Sequence, residues 1–407
     1  MTALTATKIL ELTNSVSGEY CGKLLADFGA QVIKLEDPVN GSPTRRMAPL
    51  ATAGADPERS GLFAYLNTNK RSVAWDVHTD VGLTTLTQLL QRVDVVITDR
   101  PVDGLKSIGL DPDTLATKFP RLVVCSITPF GAESVSEPES GQPLHAEDLN
   151  VFHSSGWGFH TPSAAQISRP PLKGAGRFLA SYEAGLEAAM CTVSVLFERE
   201  TSQLGQFIDI STQAVLASRA DYVLGQMIAG DMNVSNDRTA YDLHGPADIY
   251  ACADGFVYIW MSAPAHWEAL SKMLGAPAWM EDFPGNWLER DCTPERVAEC
   301  RQHVGEWLKT QHKAQVAEDA QTLGLILVPV NNPADLLSSP QYQYREFFTE
   351  LHHPVLGAVD YPTVPYKLSK TPATLKSPAP LLGEHNVVLG ELNAEILANG
   401  STAERNT

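Results

Sequence analysis

The chain has 407 residues, 43% of them apolar, and sets 48 Asp+Glu against 30 Lys+Arg for a formal charge of −18. That length and composition suit a globular protein of two or three domains and exclude a disordered chain. The acidity argues against nucleic acid, whose binding needs Lys and Arg to displace counterions, and against an anionic membrane surface, while leaving room for a small anion wherever cations are concentrated locally.

Met1–Leu10 holds one lysine and no apolar stretch long enough for a signal peptide, and no run approaches a membrane span, so a cytoplasmic protein is expected. The six cysteines show no CxxC and no metal-like spacing with histidine, which points to reduced thiols and no metal.

In chain order, Lys8–Leu12 reads as a strand, Thr13–Gly18 as a polar turn and Glu19–Phe28 as a helix stopped by Gly29. Gln31–Leu35 is the next strand, followed by a Pro/Gly loop, a strand at Ser72–Asp76 and a helix at Leu83–Arg92. Asp94–Thr98 and Leu122–Ile127 are continuous apolar runs, the pattern of strands buried on both faces. Strand–helix–strand repetition predicts a parallel, doubly wound sheet with ligands at the carboxyl ends of its strands. Ser181–Glu198 reads as one long amphipathic helix, and Phe207–Ile210 as a strand after Gly205. Asp248–Cys252 and Phe256–Met261 flank an Ala-Asp-Gly turn and predict a hairpin, with helices following at Ala265–Leu274, Pro294–Thr310 and Gln315–Leu323. Beyond about Val330 the chain is Pro-rich and reads as a loop-like wrap. The expected division is a large domain over 1–225, a small α/β domain over 226–330, and a return segment over 331–407 that completes the large domain.

Several segments in register resemble the class III CoA-transferases, which include formyl-CoA and carnitine CoA-transferases and the α-methylacyl-CoA racemases. They are ILELTNSVSGEYCGKLLADFGAQVIKLEDP from Ile9, YLNTNKRSVAWDV from Tyr65, RLVVCSITPFG from Arg121, LFERETSQLGQFIDIS from Leu196, YACADGFVYIW from Tyr250 and APLLGEHN from Ala379. The resemblance implies a Rossmann-like parallel-sheet large domain with a small α/β domain, two chains interlocking as linked rings in a homodimer. It implies acyl-CoA and a small carboxylic acid as substrates, with coenzyme A as cosubstrate. CoA contacts are implied at Ser15, Val16, Ser17 and Leu66, with its phosphates near Lys70, Arg71, Arg100 and Lys106. Two positions depart from the family pattern: Asp37 stands where an arginine is usual, and Ser107, beside Lys106, where another is expected.

A larger departure concerns the nucleophile. Family transferases attack the thioester with an aspartate four residues before the glycine of the long helix, forming a mixed anhydride. Here that column, read from Gly185, holds Ser181. The racemases' histidine column holds Glu147, followed by the family-like Asp148. The candidate catalytic residues are therefore Ser181, Asp148, Glu147 and Glu183, with His145 three residues from Asp148 as a further acid/base partner. His153-Ser154-Ser155 is similar to the family's small-residue turn over the thioester. Three readings stay open: CoA transfer through a displaced carboxylate, an acyl-CoA isomerase or lyase using Glu147, and a catalytically silent subunit paired with an Asp-containing paralogue.

Overall fold

The computed structural model describes residues 2–51, 56–132, 146–160, 176–230 and 246–387. His145 lies outside them.

The chain forms two compact units, one of residues 1–236 with 346–407, the other of 237–345. In the larger unit, β1 (Lys8–Leu12), β2 (Gln31–Glu36), β3 (Lys70–Ala74), β4 (Val95–Thr98), β5 (Val123–Thr128) and β6 (Phe207–Ser211) make one six-stranded sheet in the order β3-β2-β1-β4-β5-β6. All five pairings are parallel. β4 and β5 are buried along their whole length, as their β-branched runs require of strands covered on both faces. One apolar layer sets the first helix, Val16–Asp27, and the long helix, Leu179–Ser202, against the sheet through Cys21, Leu25, Ala184 and Ala188. The other packs Leu86, Leu89, Leu105 and Leu115, from helices 80–90, 102–107 and 112–118. This is the doubly wound α/β architecture with Rossmann strand order.

Three of the differences from the sequence reading shape the larger unit. β3 begins at Lys70, not Ser72, because Lys70 and Arg71 pair with Val32 and Ile33 of β2. The first helix starts at Val16, where the Ser15 hydroxyl accepts from the Gly18 amide and so caps it three residues early. The Pro-rich return segment is not all loop. Phe348–His353 (β10) and Gly357–Pro362 (β11) pair antiparallel around a turn in which Gly357 adopts φ 76°.

The smaller unit holds an antiparallel sheet of β7 (Asp248–Cys252), β8 (Gly255–Trp260) and β9 (Ile326–Val330), covered by helices 264–274, 294–308 and 313–323. Trp287, Leu270, Val304 and Leu327 are fully buried in its core. It continues past 330 through two short helices at Pro333–Ser338 and Pro340–Tyr344. Among the described residues no helix is long and apolar enough to cross a membrane.

Candidate functional site

In this sheet order the chain reverses direction of winding between β1 and β4, the point at which doubly wound sheets hold ligands in a crevice at the carboxyl ends of their strands. Ser15, Val16 and Ser17 leave β1 there, and Arg100 follows β4. The two loops are tied together, since the Asn14 amide donates to Asp99 Oδ2 at 2.7 Å. Burial pushes the Asp99 carboxyl above its usual range, although the Asn14 amide and the Ser15 hydroxyl oppose the shift. The Arg100 Nε is buried with no hydrogen-bond partner.

The long helix begins over this loop. A Cβ built on Gly185 would stand 2.5 Å from the Ser17 carbonyl oxygen, so only glycine allows the two helices to cross so closely. Ser181 lies one turn before that crossing on the long helix. Phe178 and Tyr182 on either side of it pack into an apolar cluster with Val16, Leu62 and Leu66, and the Tyr182 ring meets Tyr20 edge-on at 4.8 Å. Val16 and Leu66, far apart in sequence, thus meet against Phe178 and Tyr182.

Asp148 opens the helix Asp148–Ser154, which packs its Val151 and Phe152 against Ala180 and Leu216. Its carboxylate faces the start of the long helix. Oδ1 accepts from the Ser181 hydroxyl at 2.6 Å and the Ser181 amide at 2.9 Å, and Oδ2 from the Ala180 amide at 3.2 Å. The carboxylate therefore occupies the anion-favouring end of a 24-residue helix. Burial raises its pKa from the ordinary value, more than these three hydrogen bonds lower it.

The other candidates fall elsewhere. Glu147 is an exposed cap residue whose amide donates to Asn150 Oδ1. Glu183 lies two residues beyond Ser181 on a helix, hence on the far face, and pairs with the Arg219 guanidinium at 3.1 Å. Ser154 and Ser155 close a helix instead of forming a turn, their hydroxyls donating to Val151 and Phe152 carbonyls. Lys70 and Arg71 lie at the amino end of β3, across the sheet from the crevice. The Lys70 ammonium is buried and bound by Glu11 at 2.7 Å, the Glu19 carbonyl at 2.7 Å and Asn67 Oδ1 at 2.9 Å. Lys106 is exposed, 3.9 Å from Asp103. Among the described residues no group of His, Cys, Asp or Glu is placed to hold a metal ion.

The sequence reading missed the ionic network beneath the crevice. Lys34 bridges Glu11 and Glu19, each at 2.9 Å, and Arg45 pairs with Glu36 at 2.8 Å, all fully buried. Charged residues inside apolar strands (Glu11 in KILEL, Lys34 in QVIKLE) were its only signal.

The model of CoA-transferase family III matches residues 4–386. The succinate–glutarate CoA-transferase of Agrobacterium fabrum is 28% identical over 412 residues, covering 99% of this chain and 96% of the relative. The succinyl-CoA:mesaconate CoA-transferase of Haloarcula hispanica is 28% identical over 406 residues, covering 96% of each. Among solved structures, a CaiB/BaiF family protein from Brucella suis superposes with a TM-score of 0.80 at 26% identity, covering 96% of this chain and 99% of that one. Rossmann strand order and a family match along nearly the whole chain agree: the chain belongs to CoA-transferase family III.

Proposed function

We propose that this chain moves CoA between small carboxylic acids, with Asp148 attacking the acyl thioester and Ser181 orienting it. The observation that carries this reading is the Asp148 carboxylate on the first turn of the long helix, held by the Ser181 hydroxyl and amide. A carboxylate is nucleophilic at neutral pH without a base, whereas the Ser181 hydroxyl must first give up its proton, and the group it donates to is Asp148 itself. Oδ1 takes two of the three hydrogen bonds, leaving Oδ2 the freer oxygen. Oδ2 adds to the thioester carbon, the C–S bond breaks, and CoA leaves as the thiolate with an Asp148 acyl anhydride behind. The thiolate then attacks the Asp148 carbonyl, releasing the first acid and leaving Asp148 as a CoA thioester. The acceptor carboxylate attacks that thioester, displacing CoA as the thiolate and forming a second anhydride. The thiolate then attacks the acceptor-derived carbonyl, giving the new acyl-CoA and releasing the Asp148 carboxylate. The Ala180 and Ser181 amides offer fixed dipoles to negative charge on Asp148 when it is regenerated. In this reading the thioester lies along Ser15–Ser17 and Leu66, with Arg100 and Lys106 toward the phosphates. The relatives' names favour a dicarboxylic acyl group such as succinyl. The interlocked homodimer belongs to the same proposal, and light scattering on the purified chain tests it.

The deciding experiment incubates purified protein with succinyl-CoA and a panel of acids, follows new acyl-CoA by chromatography, and searches by mass spectrometry for CoA or acyl mass on the Asp148 peptide. Asp148→Asn is expected to lose activity by about a thousandfold or more. Full activity in that variant, or label on another residue, would overturn the assignment. Ser181→Asp sets a second carboxylate against Asp148, and one of the two must then hold a proton. It is expected to slow the wild-type reaction. If instead the wild type is inert and Ser181→Asp becomes active, the chain is a silenced subunit.

A further inference from the structure

We propose that a cavity of about 460 Å³ at the amino-terminal side of β2 and β3 binds a small dianion, a phosphate monoester or a dicarboxylate. It is a second site. The crevice lies at the carboxyl ends of the strands, whereas this cavity is walled by the end of the first helix, the starts of β2 and β3, and the return segment around Thr374–Pro380.

The wall is built and held. Asn69 sits at φ 63°, a left-handed backbone that asparagine tolerates, and its groups clamp the return segment onto the sheet. Its amide donates to the Ser377 carbonyl at 3.1 Å, and its Nδ2 to Asp27 Oδ1 at 2.8 Å and the Thr374 carbonyl at 2.9 Å. Its Oδ1 accepts from the Lys376 amide at 2.7 Å and the Ser377 amide at 3.2 Å. Further along, the His385 amide donates to the Ser72 carbonyl and the Gly383 amide to the Ser72 hydroxyl.

The lining is basic in a chain of net charge −18. It includes Arg71 from the strand, Lys376 from the return segment, and the imidazoles of His352 and His385. Among the described residues no carboxylate pairs with Arg71 or Lys376. His385 Nδ1 is buried with no hydrogen-bond partner, so the His385 ring is held in the wall itself. The opposing carboxylate, Glu384, accepts from the Leu381 amide. The helix end on the wall does not present bare carbonyls, because the Gly29 and Ala30 amides donate back to Ala26 and Leu25. Two cations from different elements suit a doubly charged ligand, and the volume suits a small molecule.

Calorimetry at constant ionic strength, with inorganic phosphate and succinate as separate probes, tests the site. Saturable binding of one of them is expected, and which one binds identifies the ligand's chemistry. Arg71→Ala/Lys376→Ala is expected to weaken it about tenfold or more, about 1.4 kcal/mol. The control Lys118→Ala/Lys272→Ala, which removes the same charge elsewhere, is expected to leave it unchanged, with circular dichroism confirming both folds. If the double variant does not fold, Arg71→Lys and Lys376→Gln singly take its place. Saturating CoA and Asp148→Asn are expected to leave dianion binding intact, so this site stands or falls apart from the transferase reading. No saturable binding of either probe up to about 10 mM, equal affinity in the double variant, or displacement by CoA would overturn it; the last would return Arg71 to the CoA site.

Discussion

Asp148 and Ser181 stand 33 positions apart in sequence, and the hydrogen bond between them is the smallest unit that carries the proposed chemistry. Substituting serine for a carboxylate at position 181 removes one negative charge and supplies a donor, so a single carboxylate remains at the helix end. Burial pushes its pKa up. The reactive form is ionised, so activity falls as pH drops through that pKa, and the acid limb of kcat/KM is expected above the range of an exposed carboxylate. The Ser181 hydroxyl favours the ionised form, and Ser181→Ala is therefore expected to move the limb to still higher pH. A pH–rate profile of both proteins checks this; a limb that stays or moves down removes the hydroxyl from the site. The identity of residue 181 is legible in sequence. Its partner is not, because nothing local to Ala146-Glu147-Asp148 says which of two adjacent carboxylates turns inward.

At the scale of elements, the crossing of the first and long helices places the site. Gly185→Ala puts a methyl group 2.5 Å from the Ser17 carbonyl oxygen and 3.2 Å from the Cys21 amide nitrogen, both backbone atoms that yield only if a helix moves. The expected outcome is a loss of about 1–3 kcal/mol of stability, read by urea unfolding. CoA binding is expected to weaken with it, since the Ser15–Ser17 loop shifts with the helix. Unchanged stability would mean the helices are not in this contact. Strands β1, β2, β4, β5 and β6 were readable to within a residue because apolar runs mark strands buried on both faces. β3 was displaced by two residues, since a lysine at a strand start looks like a boundary until its ion pair is seen. The β10–β11 hairpin was hidden because its strands, FTELHH and GAVDYP, carry mixed polarity and proline.

For the whole molecule, the surplus of acid lies outside the sheet's interior. Glu11, Glu19 and Glu36 are matched there by Lys34, Lys70 and Arg45, all buried. Removing one member of such a network costs about 3–5 kcal/mol, because its partner remains as an uncompensated buried charge. Glu36 is held down to about 2: burial opposes ionisation, but hydrogen bonds from Arg45 and Ser72 and the nearby Lys34 and Arg45 charges outweigh it. A folded-state pKa below the unfolded value stabilises above the unfolded pKa, near 4.5, and that contribution is lost as pH falls toward about 2. Urea midpoints measured across that window are expected to fall, with Glu36 supplying about 3 kcal/mol of the change. Glu36→Gln is expected to flatten the dependence; an equally steep profile would assign the acid sensitivity to other groups.

By itself the sequence determined the fold class, the family and the absence of an aspartate at position 181, because strand and helix periodicities and ordered motifs are local along the chain. It also bounded the ligand, since a chain of charge −18 has to gather its cations to hold an anion. Only the tertiary structure decided which charges are available. Lys70 and Arg71 are adjacent in sequence, yet one is enclosed by Glu11, Glu19 and Asn67 while the other opens onto a cavity at the far end of the strands. Asp148 and Glu147 are likewise adjacent, yet one faces a helix terminus and the other solvent. The physical reason is common to both pairs: whether a charged side chain binds a ligand depends on which partners reach it first, and those partners come from distant parts of the chain.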